Sequence, residues 1–476
     1  MSDKQTQTQL AVIGSGPGGY AAAFLAADLG MDVTLIDTAP NPGGVCLYRG
    51  CIPSKALLHV AKLLSEAKEA KNWGISFSEP KIDLPRLREW KNSVVAQLTG
   101  GLGRLSKQRK VNFIRGKATF NDSQSLKINT VAGAAQKLIF QQAVLATGSH
   151  PVTLPGVPVD SPLVMDSSAA LALETLPKSM LVVGGGYIGL ELGTVYASLG
   201  TKVTVVEMLP GLLPGADRDL IAVLAKKLNS AFTEIMLETT VKNIRVKKNG
   251  VSVQFQTGNG TELKKDYEKV LIAVGRKPNS ANLGLENTKV QTDEKWFVKV
   301  DAQRRTGDPA IFAIGDVAGE PMLAHKAAHE GRTAVEVIAG GKSVFEPRAI
   351  PAVVFTDPEL AWCGLTESEA KKQKREVSVT RFPWAASGRA ATLGRSDGLT
   401  KIIFDSQTER VLGVGIVGPG AGELISEAVL AVEMAAVAKD LELTIHPHPT
   451  LSETVMESAA MLFGTGTHIY RPKRKR

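Results

Sequence analysis

The 476-residue chain is too long for one hydrophobic core, so two to four domains are expected. With 43% hydrophobic and 22% charged residues it has ordinary globular composition, and its three cysteines exclude a disulfide-scaffolded secreted fold. The formal net charge of +9 draws five positive charges from the terminal RPKRKR, a run that reads as a solvated tail rather than a nucleic-acid arm.

The N-terminal MSDKQTQTQL has no leader character, and no apolar run reaches spanning length; a cytoplasmic protein is expected. The phrase QLAVIGSGPGGY then runs an apolar strand into Gly14, Gly16 and Gly19 at the start of a helix. The following strand, DVTLID, ends in Asp37, 23 residues after Gly14. The first glycine permits a tight turn, the second lets backbone approach a pyrophosphate, and the third lets helix pack on strand. Phosphate is favoured at such a helix N-terminus, and the acid accepts hydrogen bonds from ribose hydroxyls.

Next comes GGVCLYRGCIPSK, with Cys46 and Cys51 separated by four residues. Closing so short a loop removes little chain entropy, so a disulfide there is a poor brace and a good electron carrier. The plain alternative is two small hydrophobes packed apart. The helical spacing of Leu57, Val60, Ala61 and Leu64 places the cysteines at or just before a helix N-terminus, where thiolate is stabilised. Arg49 either adds to that effect or points to solvent, and Lys55 is either a surface lysine or a cation beside a cofactor.

AVLATGS (143–149) reads as a return strand, after which SMLVVGGGYIGL repeats the first phrase with Gly184, Gly186 and Gly189. KVTVVE follows and ends in Glu207, again 23 residues after the first glycine. The matched spacing predicts two dinucleotide sites. The site beside the cysteines is assigned to FAD, the second to a nicotinamide. A carboxylate at 207 accepts from a 2′-hydroxyl and repels a 2′-phosphate, favouring NAD over NADP. KVLIAVGRKPN is a second return strand, and IFAIGD sets Asp316 at a strand end, as a ligand-side carboxylate or a simple turn residue.

His325 and His329 lie at i, i+4 without further ligands, so no metal is expected and a packing or backbone role is read. Cys363 stands among apolar neighbours as core. In TIHPHPTLSE, prolines flank His448, and Glu453 follows five residues later. The pair is either a base with its orienting carboxylate or an ordinary surface histidine.

On GGVC…GCIPSKALLHVAK, GGGYIGLE, VGRKPN, IFAIGD, PMLAHKAAHEG, FPWAASGRA and HPHPTLSE, the chain resembles the flavin-dependent pyridine nucleotide–disulfide oxidoreductases over nearly its whole length. Within them it is most similar to the branch that oxidises dihydrolipoyl groups. The resemblance implies an α/β fold with two Rossmann-like domains, for FAD and NAD, and a C-terminal α+β dimerisation domain. The implied divisions are 1–150 for FAD, 151–275 for NAD, 276–347 completing the FAD site, and 348–476 as the interface domain. It implies that Cys46 is the interchange thiol and that Cys51 faces the flavin. Lys55 would pair with Glu191 near flavin N5, with Thr147, Gly148, Asp316 and Ala324 also around FAD and Gly275 around NAD. His448, oriented by Glu453, would act on the disulfide of the partner subunit in a homodimer. The expected partners are lipoyl domains and the core of 2-oxo acid dehydrogenase or glycine-cleavage complexes.

The sequence departs from the family at Tyr48, usually asparagine, and at Arg49, usually a small aliphatic residue. A glutathione reductase is opposed by Glu207, and a mercuric reductase by the absence of a second cysteine pair near the C-terminus. A non-catalytic scaffold using the basic tail is the alternative from another class.

Overall fold

The computed structural model describes residues 4–158 and 160–470; the basic run 471–476 lies outside them. The first unit is built on a parallel sheet whose spatial order is 112–115, Val33–Asp37, Lys4–Ile13, Ala135–Leu145 and Ile311–Ala313. Its central strand carries Leu10, Ala11 and Val12 with no exposed surface, the uninterrupted apolar run expected of a strand covered on both faces. Beyond residue 115 the third strand turns away and pairs antiparallel with Ser125–Thr130, which pairs in turn with the start of Ala135–Leu145. Ile311–Ala313, far along the chain, is inserted beside Ala143–Leu145 and delivers Asp316 just past the sheet's carboxyl edge.

The second unit repeats the plan: Glu234–Met236, Lys202–Val206, Ser179–Val183, Lys269–Ile272 and Val164–Met165, all parallel. A three-stranded antiparallel meander, 239–267, lies to one side. The exits of the two return strands clasp each other, Ser149–Pro151 pairing antiparallel with Arg276–Pro278. The C-terminal unit is a five-stranded antiparallel sheet in the order Ala352–Val354, Glu359–Gly364, Val411–Gly418, Leu399–Asp405 and Val377–Pro383. Helices Ala421–Glu433 and Glu453–Phe463 pack on it.

Helix crossings are close where glycine allows it. A Cβ at Gly18 would stand 2.9 Å from the Ala327 carbonyl oxygen, and one at Gly331 2.7 Å from that of Gly18. Helix Ala324–Ile338 therefore lies directly on helix Pro17–Asp28, with its N-terminal residue, Ala324, at the cavity described below.

The second unit is fastened to the third by a buried ionic cluster. Lys401, with a side chain 1% exposed, meets Asp217 at 2.8 Å, Asp219 at 3.1 Å and Glu367 at 2.6 Å. Arg381 adds a 2.7 Å contact to Asp219. Asp217 also accepts the backbone N–H groups of Glu367 and Ser368. Removing the lysine leaves Asp217, poorly solvated and out of the contacts made by Arg381, without its countercharge. Lys401→Met is expected to lower unfolding free energy by about 3–5 kcal/mol, as chemical denaturation monitored by domain-specific fluorescence measures.

Candidate active site at the cysteine pair

Both glycine fingerprints have the geometry that their roles require. Gly14 and Gly184 have φ of +99° and +111°, and a Cβ on either would stand 2.3 or 2.4 Å from the carbonyl oxygen of Ala146 or Ala273. A Cβ at Gly19 or Gly189 would strike the carbonyl oxygen of the first glycine, at 1.9 and 2.2 Å. At Gly16 the nearest atom to such a Cβ is 4.0 Å away, and at Gly186 nothing lies within 4 Å. First and third glycines are therefore demanded by protein–protein contact, and the second leaves space at a helix N-terminus for a pyrophosphate.

The acids at the second strands act on these loops directly. Asp37 Oδ2 accepts from the Ser15 N–H at 2.7 Å and its hydroxyl at 2.8 Å, while Oδ1 takes the Ala39 N–H. Glu207 Oε2 accepts from the Gly185 N–H at 2.7 Å and Oε1 from that of Leu209 at 2.8 Å. Each acid thus shapes its loop and retains lone pairs for ribose hydroxyls.

A cavity of about 640 Å³ runs from the first glycine loop to the cysteines. Gly14, Gly16, Asp37, Cys46, Cys51, Lys55, Thr147, Gly148, Asp316 and Ala324 all line it; Gly19 packs behind the loop. Gly184, Gly186, Gly189, Glu207 and Gly275 lie outside it, while Tyr187, Ile188 and Glu191 of the second unit's helix border it. These linings fit an FAD laid along the first sheet's carboxyl edge, with a nicotinamide entering from the second loop.

Cys46 lies inside a short helix, Gly44–Arg49, rather than ahead of one, and Cys51 opens the long helix Cys51–Glu69. Gly50 separates the two helices: a Cβ there would stand 2.9 Å from the Val45 carbonyl oxygen and 3.2 Å from Cys46 Cα. Both cysteines are free, and each influences the ionisation of the other. The Cys51 thiol, which is exposed, is held below the ordinary thiol range, first by Cys46 beside it and then by the charge of Lys55. Cys46 is pushed up, first by Cys51 beside it and then by burial. Arg49 is exposed, and Lys55 is the cation that acts on both thiols.

Lys55 is held by Glu191. Its Nζ lies 2.8 Å from Glu191 Oε2, which also accepts the Ser54 hydroxyl at 3.0 Å. Glu191 Oε1 accepts the Phe355 N–H at 3.0 Å, and Lys55 Nζ sits 4.5 Å from the Phe355 ring centroid. Asp316 receives a hydrogen bond from the Ser149 hydroxyl, which in turn accepts from Arg276 Nε at 2.7 Å. Thr147 and Asn279 clasp each other through reciprocal 2.8 Å hydrogen bonds. Ser54, Ser149, Arg276, Asn279 and Phe355 are site residues that motif spacing did not reveal. All but Phe355 stood in phrases already singled out, Ser54 in GCIPSK, Ser149 in AVLATGS, and Arg276 and Asn279 in VGRKPN. Tyr48 closes the loop over Gly16: its hydroxyl accepts the Asn41 N–H and donates to the Asn41 carbonyl, both at 3.1 Å.

His448 and Glu453 meet at 2.9 Å through Nδ1 and Oε1, and Glu453 Oε2 accepts the Thr450 N–H at 2.8 Å. Burial raises the Glu453 carboxyl, but these two bonds outweigh it and hold the group below the ordinary range. With Nδ1–H given to the carboxylate, Nε2 keeps its lone pair. His448 is 74% exposed and does not line the cysteine cavity of its own chain. His325 is occupied by the Pro351 carbonyl at 2.9 Å, and His329 is exposed. Among the described residues no three metal-binding side chains gather. Cys363 is buried, and burial pushes its thiol up to about 12. No helix among the described residues is long and apolar enough to cross a membrane.

Residues 8–331 match the family described as pyridine nucleotide-disulphide oxidoreductase, and residues 350–459 match that family's dimerisation domain. The chain is 48% identical to a dihydrolipoyl dehydrogenase of Haemophilus influenzae, over 99% of this chain and 98% of that protein. It is 46% identical to one of Vibrio cholerae, with 99% of each covered. Among solved structures, LpdA from Mycobacterium tuberculosis superposes with a TM-score of 0.89 at 28% identity, covering 96% of this chain and 99% of the other. The HOCl-induced flavoprotein disulfide reductase RclA from Escherichia coli, as its Cu(II) complex, gives 0.86 at 28% identity, covering 96% and 100%.

In the reduced protein, the first thiolate is expected to form at a pH below the ordinary thiol range, at Cys51, with Cys46 ionising after it. Ultraviolet thiolate absorbance measures this, and Lys55→Met moves the transition upward because a cation that favours the thiolate is gone.

Proposed function

The chain belongs to the pyridine nucleotide–disulphide oxidoreductases, and from that premise we propose that it oxidises protein-bound dihydrolipoyl groups to lipoyl groups while NAD⁺ is reduced to NADH. Its cofactors are FAD and NAD. The observation that carries the reaction is the cysteine pair, with Lys55 beside it, at the end of the nucleotide cavity. A substrate thiolate attacks Cys46 Sγ of the disulfide form and Cys51 departs, since the thiol with the lower pKa is the better leaving group. The second substrate thiol then attacks the sulfur bonded to Cys46, closing the lipoyl ring and leaving Cys46 and Cys51 reduced. FAD supplies the step that returns the cysteine pair to its disulfide, the two electrons leaving on NADH.

This chain's residues have separate tasks in that scheme. Lys55 stabilises the Cys51 thiolate and is itself aimed by Glu191. Asp316, with Ser149 and Arg276 behind it, presents a carboxylate to the ribityl chain. Gly16 and Asp37 would hold the FAD pyrophosphate and ribose on a loop whose turn and packing need Gly14 and Gly19, with Thr147, Gly148 and Ala324 along the same wall. Gly184, Gly186, Gly189, Glu207 and Gly275 do the same for NAD, Glu207 selecting against a 2′-phosphate. His448 Nε2 takes the substrate thiol's proton while Glu453 fixes the ring.

The catalytic unit on this reading is a homodimer. His448 is exposed and away from its own cysteines, so it serves the disulfide of the other subunit. The division is 1–150 for FAD, 151–275 for NAD, 276–347 completing the FAD site and 348–476 for the interface. The cell compartment is the cytoplasm, and the partners are lipoyl domains and cores of 2-oxo acid dehydrogenase or glycine-cleavage complexes.

Steady-state NAD⁺ reduction with dihydrolipoamide tests the scheme. Cys51→Ser is expected to lower turnover by at least roughly a thousand-fold, and His448→Gln by about a hundred- to ten-thousand-fold. Full activity in either variant rejects the role assigned to that residue.

A further inference from the structure

His448 sits on an irregular strap between helices Ala438–Leu443 and Glu453–Phe463. Most of the strap faces outward: Leu443 is 67% exposed, Ile445 94%, and the His448 side chain 74%. His446 is the exception, with a side chain only 5% exposed. Its Nε2 lies 2.8 Å from Glu427 Oε1 on helix Ala421–Glu433, and its Nδ1 lies 2.8 Å from the Thr444 carbonyl oxygen. On the far side of the base, Thr450 donates its N–H to Glu453 at 2.8 Å and its hydroxyl to the Pro447 carbonyl at 2.7 Å.

We infer that His446, held by Glu427, is a second positioning residue for the base His448. The inference rests on the reading of His448 as that base. Glu453 fixes the rotation of the His448 ring, but it cannot fix where the strap carries the ring. That placement needs an anchor on the N-terminal side, and His446 is the strap side chain that reaches a neighbouring helix there. Pro447 restricts the backbone between the two histidines, so the position of one is passed to the other with little slack. A base delivered across a subunit boundary has no help from the fold that holds its target, and displacement by about 1 Å can cost a hundred-fold in rate.

The test uses the full-length holoenzyme with His446→Phe, Glu427→Gln and His448→Gln, and two rapid-mixing measurements. One follows reduction of the bound flavin by dihydrolipoamide, which needs the base. The other follows its reduction by NADH, which enters from the nicotinamide side. His446→Phe is expected to slow the dithiol reaction roughly ten- to hundred-fold, with Glu427→Gln slowing it in the same direction and the NADH reaction unchanged in both. If His446→Phe does not fold, Glu427→Gln decides. Dithiol reduction at the wild-type rate, or equal loss in both half-reactions, overturns the inference. A fully active His448→Gln instead overturns the reading of the base itself, which separates the two failures.

Discussion

One buried carboxylate joins the three units at the point where the chemistry is done. Glu191 belongs to helix Tyr187–Ser198 of the second unit and is 3% exposed. It binds Lys55 and Ser54 of the cysteine helix through one oxygen and the Phe355 N–H of the C-terminal unit through the other. A carboxylate removed from water needs such compensation, and here it comes from two distant parts of the chain, the cysteine helix and the C-terminal unit. The consequence reaches the thiols. Lys55 is fixed within range of both, and its charge favours ionisation of Cys51.

The same economy appears at the glycine loops. Asp37 and Glu207 were expected from their spacing to face ribose, yet each already uses both oxygens on backbone donors of its own loop. A carboxylate offers about four acceptor positions, so shaping the loop and receiving a sugar are compatible.

The C-terminal unit shows the opposite condition. Leu430, Met434, Leu443 and Ile445 stand largely exposed around the strap that carries His448, within the residues that match a dimerisation domain. An apolar surface of this kind is stable in water only when it is covered, and a second subunit is the cover that the family's architecture supplies. His448 and the hydrophobic surface thus share one segment.

Much of this was legible in the residues. Strand, glycine turn, helix and acid follow one another in the order in which backbone geometry uses them, and they recur with the same spacing, so the two nucleotide modules could be read locally. The cysteine pair and the pair His448–Glu453 were legible for the same reason, since partners five residues apart can meet without knowledge of the fold. Other features depend on residues far apart in the chain. Glu191 meets Lys55 across 136 positions, Arg276 reaches Ser149 across 127, and Ser149 reaches Asp316 across 167. No periodicity encodes such meetings. Nor could spacing tell which of two similar thiols ionises, or that Lys55 rather than Arg49 supplies the charge. The sequence by itself determined where the nucleotides and the sulfurs belong, because those are short-range properties of backbone and spacing. Tertiary packing decided the ionisation of the sulfurs and the aim of the groups around them, because both depend on burial and on charges brought in from elsewhere.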